Sequence, residues 1–235
     1  MSLPPGACVA SQAPGSLTGK CPPGDILVRA MDLREQFGDL DIYLFDQLLK
    51  ERLVPGMRVL DAGCGGGRNL VWFLRNGYDV SAVDESPEAV EHVRRLAGAL
   101  APGLPPEGFR VADLADLPFP DAHFDAVLCS AVLHFARDEA HFDRMLDEMW
   151  RVLRPGGLFF ARLASTIGME GRLQRLEGDW YLLPDGSRRF LVDAEKLQRT
   201  TARLSGAWLD PLKTTLVQDL RAMTTWVLRK PRRPP

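Results

Sequence analysis

The chain has 235 residues, 46% of them hydrophobic and 26% charged, with a formal net charge of -2. This composition is typical of one globular domain. The small net charge argues against a nucleic-acid-binding protein, because such proteins usually present a strongly basic surface. No apolar run approaches the roughly 18 residues that cross a bilayer, and no Lys-rich amphipathic helix indicates attachment to a membrane surface.

The four cysteines and the N-terminus bear on the cellular compartment. Cys8, Cys21, Cys64 and Cys129 form no Cys-x-x-Cys pair, so we expect no zinc or other metal site. The first residues lack the charged and apolar regions of a signal peptide. Both observations favour a protein of the reducing cytoplasm.

The two ends of the chain differ in composition from the rest. Residues 1–24 are rich in proline and glycine and have no hydrophobic periodicity, which predicts a disordered tail. Residues 231–235 have the same character. The intervening residues 25–230 are expected to form a single domain.

Predicted strands and helices alternate through that domain. In chain order, the predicted helices are 39–53, 68–76, 86–100, 139–153 and 193–204. The predicted strands are 58–62, 79–83, 109–112, 124–129 and 158–163, followed by a hairpin over 180–192 and two strands at 212–218 and 222–229. In the first helix, Ile42, Phe45, Leu48, Leu49 and Leu53 are expected to share the buried face. Ser86 and Asp193 are expected to cap their helices.

This order predicts the fold class. Strands separated by helices form a parallel sheet with helices on both faces, whereas the last two strands are joined by a short turn and must be antiparallel. The expected fold is therefore α/β, a Rossmann-like, doubly wound, mostly parallel seven-stranded sheet with an antiparallel C-terminal hairpin strand. The segment 165–192 is expected to be a hairpin insertion that covers the pocket of an acceptor substrate or forms a homodimer contact.

The most informative segment is the glycine-rich sequence VLDAGCGGGRN, which joins a strand to a helix. Gly63, Gly65 and Gly67 allow a tight turn and the close approach of a ligand, and the helix that follows offers free N–H groups. Such a loop alone is weak evidence for any particular ligand.

Three acidic residues make the prediction more specific. Asp61 precedes the glycines, Asp84 ends the second strand, and Asp113 follows the third strand. An acid at the end of the second strand can reach ribose hydroxyls, and one after the third strand can accept from an adenine amino group. Asp61 would repel a pyrophosphate, which disfavours a nicotinamide-dependent dehydrogenase and suits a ligand with an ammonium group. The alternative is that each acid only caps a strand or helix.

Four segments together resemble the successive motifs of class I S-adenosylmethionine-dependent methyltransferases: VLDAGCGGGRN, VDESPEA, DLADLPFPDAHFDAVLCSAVLHF and MWRVLRPGGLFFARL. The resemblance covers about residues 56–165 and implies S-adenosyl-L-methionine as cofactor. The pair Arg68-Asn69 and the segment FLRNGYDV are similar to the tellurite-resistance type of small-molecule methyltransferase. The residues expected to bind the cofactor are Tyr43, Asp61, Ala62, Gly63, Cys64, Gly65, Asn69, Asp84, Glu85, Asp113, Leu114 and Ser130.

The expected activity is methyl transfer to a small-molecule acceptor. Protein methylation and non-catalytic binding of an adenosyl ligand remain open alternatives. Methylation of nucleic-acid bases is disfavoured, because the sequence CSAV stands where such enzymes carry an Asn/Asp-Pro-Pro-aromatic motif.

Several side chains are candidates for contact with the acceptor. His134 follows the fourth strand and is either a general base or a residue that shapes the pocket. Tyr43 is either a lid over the cofactor or a core aromatic. Arg162 is a candidate contact for an anionic acceptor, whereas Arg188 and Arg189 are expected to be solvated. A soft-metalloid site at Cys64 and Cys129 is a further alternative. The other histidines, His92, His123 and His141, are expected at the surface.

Overall fold

The computed structural model describes residues 32–232. The tail predicted over 1–24 lies outside the described residues, as do residues 233–235 of the second predicted tail. Among residues 32–232, no helix combines the length and apolar character that a membrane span requires.

The main sheet has the predicted strand directions. Its strands are β1 (Arg58–Ala62), β2 (Asp79–Asp84), β3 (Phe109–Val111), β4 (Phe124–Ser130) and β5 (Leu153–Ser165), with β9 (Ala207–Trp208), β10 (Lys213–Val217) and β11 (Arg221–Arg229) from the C-terminal part. The order is β10-β11-β5-β4-β1-β2-β3, and β9 pairs with β11. Strands β1 to β5 pair in parallel, whereas β11 is antiparallel to both β5 and β10. The predicted seven-stranded sheet is confirmed, with the two-residue β9 as an addition.

The strand order places a ligand-binding crevice. Strand β1 is bordered by β2 on one side and by β4 on the other, so the chain's connections diverge at the carboxyl end of β1. In open α/β sheets, ligands bind outside the carboxyl ends of the strands at such a switch point.

The helices are α1 (Leu33–Phe37), α2 (Ile42–Leu49), α3 (Val71–Arg75), α4 (Pro87–Leu100), α5 (Glu139–Val152) and α6 (Ala194–Arg203). The predicted caps are confirmed: the Ser86 hydroxyl accepts from the amide of Ala89, and the Asp193 carboxylate accepts from that of Lys196. Each cap satisfies an N–H group that the first helical turn leaves without a partner.

The predicted apolar face of the first helix is confirmed at Leu53, which is buried, but is wrong at Ile42 and Leu49. Ile42 and Leu49 are 71% and 68% exposed, whereas Leu44 and Gln47 are buried. The helix is shorter than predicted because Asp41 caps it. Burial of Gln47 is possible because its amide donates to Asp210 Oδ2 at 2.9 Å. A hydrogen-bonded polar side chain therefore occupies a position that hydrophobic periodicity assigns to the solvent side.

Strand β5 begins earlier than predicted. It starts directly after α5 and runs through Pro155, Gly156 and Gly157. A register irregularity lies between Phe124 and Ala126 of the neighbouring β4. The Pro-Gly-Gly segment thus ends the helix, as predicted, but also forms the first part of the strand.

The predicted hairpin is part of a small second sheet. Strands β6 (Gln174–Arg175), β7 (Trp180–Leu182) and β8 (Arg188–Phe190) pair antiparallel in the order β6-β7-β8. The Arg189 guanidinium lies 4.9 Å from the centre of the Phe135 ring. Because Phe135 lies in the turn after β4, strand β8 contacts the carboxyl edge of the main sheet, and the covering of an acceptor pocket by this segment stays a prediction.

Candidate functional site

A cavity of about 490 Å³ lies at the switch point. Its walls come from the glycine loop after β1, the end of β2, the segment after β3, the turn after β4 and the first part of α5. The lining residues are Gly63, Cys64, Gly65, Gly66, Arg68, Asn69, Asp84, Glu85, Leu114, Ser130, Ala131, Val132, Phe135, Arg137, His141 and Met145. The volume falls within the usual range for small-molecule and cofactor sites.

The glycine loop needs glycine for two different reasons. Gly63 has φ of +84°, and a Cβ atom there would lie 2.9 Å from Val132 Cγ1 and closer still to Cγ2. Gly65 has φ of +49°, but a Cβ atom there would meet nothing within 4 Å. Gly63 therefore allows the loop to pack against the turn after β4, whereas Gly65 leaves backbone open toward the cavity.

Asp84 links the loop to the second strand. One of its oxygens, Oδ2, accepts from the Gly65 amide at 2.8 Å, and Oδ1 accepts from the Ser86 amide at 2.9 Å. The carboxylate also borders the cavity, together with Glu85. Asp84 thus stabilises the local backbone and presents acceptor oxygens to a ligand at the same time.

Asp61 is a buried carboxyl without a donor. The residue is 1% exposed, and its Oδ2 atom has no hydrogen-bond partner among the described residues. Burial raises the pKa of Asp61 to about 7; the nearby charge of Asp84 also raises it, and that of Arg68 opposes the rise. An unpaired buried carboxyl beside an open loop suits a cationic group of a ligand, because a positive charge would favour its ionised form.

The acid after the third strand lies behind the cavity wall. Asp113 Oδ1 accepts from the Ala115 amide at 2.8 Å, and its neighbour Leu114 lines the cavity. An Arg137 nitrogen lies 3.4 Å from Asp113 Oδ2. The Ala115 hydrogen bond is the main cause that lowers the pKa of Asp113, and His141 and Arg137 also favour its ionised form.

The prediction that His141 lies at the surface is wrong. His141 is 4% exposed and lines the cavity. Its Nδ1 atom accepts from the Arg137 amide at 3.1 Å, which puts the proton of the neutral ring on Nε2, 3.6 Å from Asp113 Oδ1. Position 141 lies four residues before Met145, so helical spacing places His141 on the same apolar face of α5, and this spacing indicates burial. Of the other two histidines, His92 is exposed, as predicted, and His123 is half-buried.

The turn after β4 supplies further lining residues that the sequence did not single out. Ala131 has φ of +65°, and its amide donates to the Arg162 carbonyl at 2.7 Å. A left-handed conformation is rare for alanine and is often found at functional sites. Phe135 is the last residue of the third motif segment and Arg137 lies outside it; neither was predicted to bind the cofactor, and both line the cavity.

Eight of the predicted cofactor-binding residues line the cavity: Gly63, Cys64, Gly65, Asn69, Asp84, Glu85, Leu114 and Ser130. Asp61, Ala62 and Asp113 lie behind its wall. Tyr43 lies on α2, and its hydroxyl is 2.7 Å from Thr215 Oγ1 of β10. Burial raises the pKa of both the Cys64 and Cys129 thiols, which keeps them protonated and poor as metalloid ligands.

A buried carboxylate organises the side of the cavity near Tyr43. Asp41 Oδ2 accepts from Arg162 at 2.7 Å and from Arg68 at 3.4 Å. The Arg162 guanidinium also lies 5.3 Å from the centre of the Tyr43 ring. The Asp41 amide donates to the Asn69 side chain at 3.0 Å. These contacts attach the N-terminal helix to the loop that follows the glycines.

His134 faces a second cavity, beyond the turn after β4. The residue is 8% exposed, and its Nδ1 atom accepts from the Ala164 amide at 3.3 Å. Burial lowers the pKa of His134 to about 4, and the charges of Arg189 and Arg221 contribute to that change. The ring is therefore neutral at physiological pH and carries its proton on Nε2.

Comparisons with known proteins agree with this geometry. Residues 60–161 match the methyltransferase domain family. A probable S-adenosylmethionine-dependent methyltransferase of Mycobacterium tuberculosis is 34% identical over 169 residues, which is 70% of this chain and 54% of that protein. A ubiquinone biosynthesis O-methyltransferase of Methylocella silvestris is 39% identical over 110 residues, 47% of this chain and 41% of that protein. The chain spans about half the length of the curated relatives it matches.

A solved structure shares the fold. The 1,6-didemethyltoxoflavin N1-methyltransferase of Burkholderia thailandensis, with its acceptor and S-adenosylhomocysteine bound, has a TM-score of 0.59 and 21% identity over 80% of this chain and 76% of that one. The domain match, the relatives and the sheet topology agree with the motif set. Residues 60–161 therefore form a methyltransferase domain, in agreement with the resemblance of the motifs to class I S-adenosylmethionine-dependent methyltransferases.

Proposed function

We propose that the protein transfers a methyl group from S-adenosyl-L-methionine to a small-molecule acceptor. The observation that carries the proposal is the combination of an open glycine loop, a carboxylate at the end of β2 and a buried, unpaired carboxyl at Asp61 around one cavity. The relatives include O-methyltransferases of ubiquinone biosynthesis, which supports a small acceptor. The narrower similarity to tellurite-resistance methyltransferases stays a prediction.

The residues present suit the cofactor's chemical groups. The unpaired oxygen of Asp61 suits its ammonium group, and the Asp84 carboxylate suits the ribose hydroxyls. Leu114, with Asp113 and His141 behind it, suits the adenine. When bound, S-adenosylmethionine supplies a methyl carbon already activated by the sulfonium. The chain's own task is to bind and orient both molecules and to exclude water, and orientation alone can contribute roughly 7–11 kcal/mol.

Ligand-induced stabilisation tests the cofactor. A ligand at about 100 times its Kd should add about 2.7 kcal/mol to the free energy of unfolding, a rise in Tm of roughly 5–11 °C for a domain of this size. We expect this rise with S-adenosylmethionine and S-adenosylhomocysteine but not with NAD or NADP. Asp84→Ala should abolish the rise. A rise with NAD alone would contradict the proposal, and turnover with an acceptor would exclude a protein that only binds the cofactor.

His134 has a structural role under this proposal. Its Nδ1 atom already accepts from Ala164 and its Nε2 atom carries a proton, so neither nitrogen is free to take a proton from the acceptor. The geometry thus favours the alternative in which His134 shapes the pocket. An acceptor that is already ionised, or that loses its proton to water, needs no base from the chain.

His134→Asn tests this role, because the asparagine carbonyl can replace Nδ1 as the acceptor for the Ala164 amide. We expect kcat to change by less than about tenfold and the pH profile of kcat to stay the same. Loss of a general base would instead lower kcat by roughly 10²–10⁴-fold and remove one limb of the profile. That second result would restore His134 as the base.

A further inference from the structure

A second cavity of about 340 Å³ adjoins the cofactor cavity. Arg68, Ala131 and Phe135 line both, so the two cavities meet at the turn after β4. The second one lies on the side away from Asp84, between that turn, the small sheet and the start of β11. A molecule in the second cavity would therefore adjoin the cofactor cavity at Arg68, Ala131 and Phe135.

Arginines dominate the charge of the second cavity. Arg68, Arg162, Arg189 and Arg221 line it, and Asp185 is its one lining carboxylate among the described residues. Asp41 lies behind the wall and pairs with Arg68 and Arg162. Because His134 is neutral, the four arginines of this cavity face only two carboxylates, those of Asp185 and Asp41.

Two of these guanidinium groups have no carboxylate partner within ion-pair distance in residues 32–232. Arg189 donates to the Arg188 carbonyl at 2.7 Å and lies over the Phe135 ring. Arg221 is exposed at the beginning of β11. Asp185 Oδ1 accepts from the amide and the hydroxyl of Ser187, at 2.9 and 2.6 Å, and Asp185 forms no ion pair with an arginine among the described residues.

Arg162 supplies an independent observation. Its side chain is only 17% exposed, and its Nε atom is buried without a hydrogen-bond partner among the described residues. One Nη nitrogen is held by Asp41. An unsatisfied buried N–H donor is costly, and a bound acceptor oxygen would satisfy it.

We propose that the second cavity binds a carboxylate or phosphate group of the methyl acceptor, so that the acceptor is a small anion held by Arg189, Arg221 and Arg162. The inference rests on the proposed methyl transfer and specifies its substrate class. Guanidinium groups match the planar geometry of carboxylate and the oxygens of phosphate, and they bind them with paired, charge-assisted hydrogen bonds. The anionic group is the part by which the acceptor is held, and the accepting atom lies toward Ala131 and Phe135.

Binding of small anions to the full chain saturated with S-adenosylhomocysteine tests the proposal. The probes are malonate, benzoate and inorganic phosphate, with malonamide and benzamide as neutral counterparts, measured by calorimetry at low and high NaCl. We expect the carboxylates or phosphate to bind, the amides not to bind, and added salt to weaken binding. Comparing malonate and benzoate with phosphate distinguishes the two kinds of oxyanion.

Charge-removing variants locate the site. Arg189→Gln and Arg221→Gln should each weaken anion binding roughly ten- to hundredfold, the range for a lost charged hydrogen bond, and leave the affinity for S-adenosylhomocysteine unchanged. Arg188→Gln is the matched control, because Arg188 is the exposed neighbour of Arg189 on β8 and does not line this cavity.

Failure of this inference and failure of the methyltransferase proposal give different results. If the wild-type protein does not bind S-adenosylhomocysteine, the proposed function is wrong. If it does bind, the inference is overturned when no anion binds better than its amide, when Arg188→Gln weakens anion binding as much as the other two variants, or when Arg189→Gln and Arg221→Gln weaken S-adenosylhomocysteine itself.

Discussion

Replacing Gly63 with alanine should destabilise the protein strongly and weaken cofactor binding. The new Cβ atom would overlap both methyl groups of Val132, and alanine would have to keep φ near +84°. The left-handed conformation costs roughly 1–2 kcal/mol and overpacking roughly 1–3 kcal/mol. The sum, roughly 2–5 kcal/mol, predicts a fall in Tm of about 4–20 °C, at 2–4 °C per kcal/mol. Because Val132 lines the cavity, the Kd of S-adenosylhomocysteine should also rise at least about tenfold.

Two variants serve as controls for Gly63→Ala. Gly66→Ala makes the same chemical change three residues later, where a Cβ atom would meet nothing within 4 Å, and should leave Tm unchanged. Adding Val132→Ala to Gly63→Ala removes the overlap but not the backbone strain, so the double variant should regain part of the lost Tm. Equal Tm values for Gly63→Ala and Gly66→Ala would contradict the close packing of the loop against the turn after β4.

Replacing Asp61 with asparagine should raise the free energy of unfolding at pH 8 and weaken the binding of S-adenosylhomocysteine. In the unfolded chain the carboxyl ionises near its ordinary pKa of 3.8, whereas burial raises its pKa in the folded protein to about 7. Between these values the folded state holds a proton that the unfolded state has lost. The contribution of Asp61 to the free energy of unfolding is thus greatest below pH 4, falls as pH rises, and levels off above pH 7.

Asp61→Asn removes that loss, so the variant should be more stable than the wild type at pH 8, by an amount on the order of 4 kcal/mol. It should bind S-adenosylhomocysteine more weakly, roughly ten- to hundredfold, because the ligand's ammonium group no longer meets a carboxylate. Wild-type affinity should increase with pH up to about 7 and be accompanied by proton release, and the variant should show neither effect. Calorimetry in buffers of different ionisation enthalpy measures that release.

Asp79→Asn is the matched control for Asp61→Asn. Asp79 is exposed at the first position of β2, at the opposite end of the sheet from the cavity. The same substitution there should change neither the pH dependence of the free energy of unfolding nor that of the affinity for S-adenosylhomocysteine. A lower Tm for Asp61→Asn than for the wild type at pH 8 would mean that the native carboxyl is ionised and stabilised by a partner. That result would contradict the account of Asp61 as an unpaired buried acid.

The regular elements and the glycine loop could be predicted because their causes are local. Ser86 and Asp193 are short polar side chains that bond to an amide three residues on, and Gly77 has the positive φ (+74°) expected of a glycine after a helix. Asp84 could be placed beside Gly65 from the sequence alone, because parallel strands end at one edge of a sheet.

Hydrophobic periodicity mispredicted burial where a polar side chain is buried and its hydrogen-bond partner is distant in sequence. Gln47 takes a buried position on α2 because Asp210, 163 residues away, accepts from its amide. His141 was expected at the surface, yet its Nδ1 atom accepts from the Arg137 amide and its Nε2 atom lies 3.6 Å from Asp113 Oδ1 at the cavity wall. Hydropathy ranks such residues as exposed because it contains no information about the groups that will meet them.

The sequence by itself therefore determined the fold, the methyltransferase domain and the edge of the sheet at which the cavity lies, since these depend on strand order and on motifs contained in a few consecutive residues. Only the tertiary structure decided the second cavity. Its arginines come from the segment after the glycine loop and from β5, β8 and β11, and no spacing along the chain relates them. Their charges act together because the small sheet contacts the turn after β4, where the Arg189 guanidinium lies over the Phe135 ring.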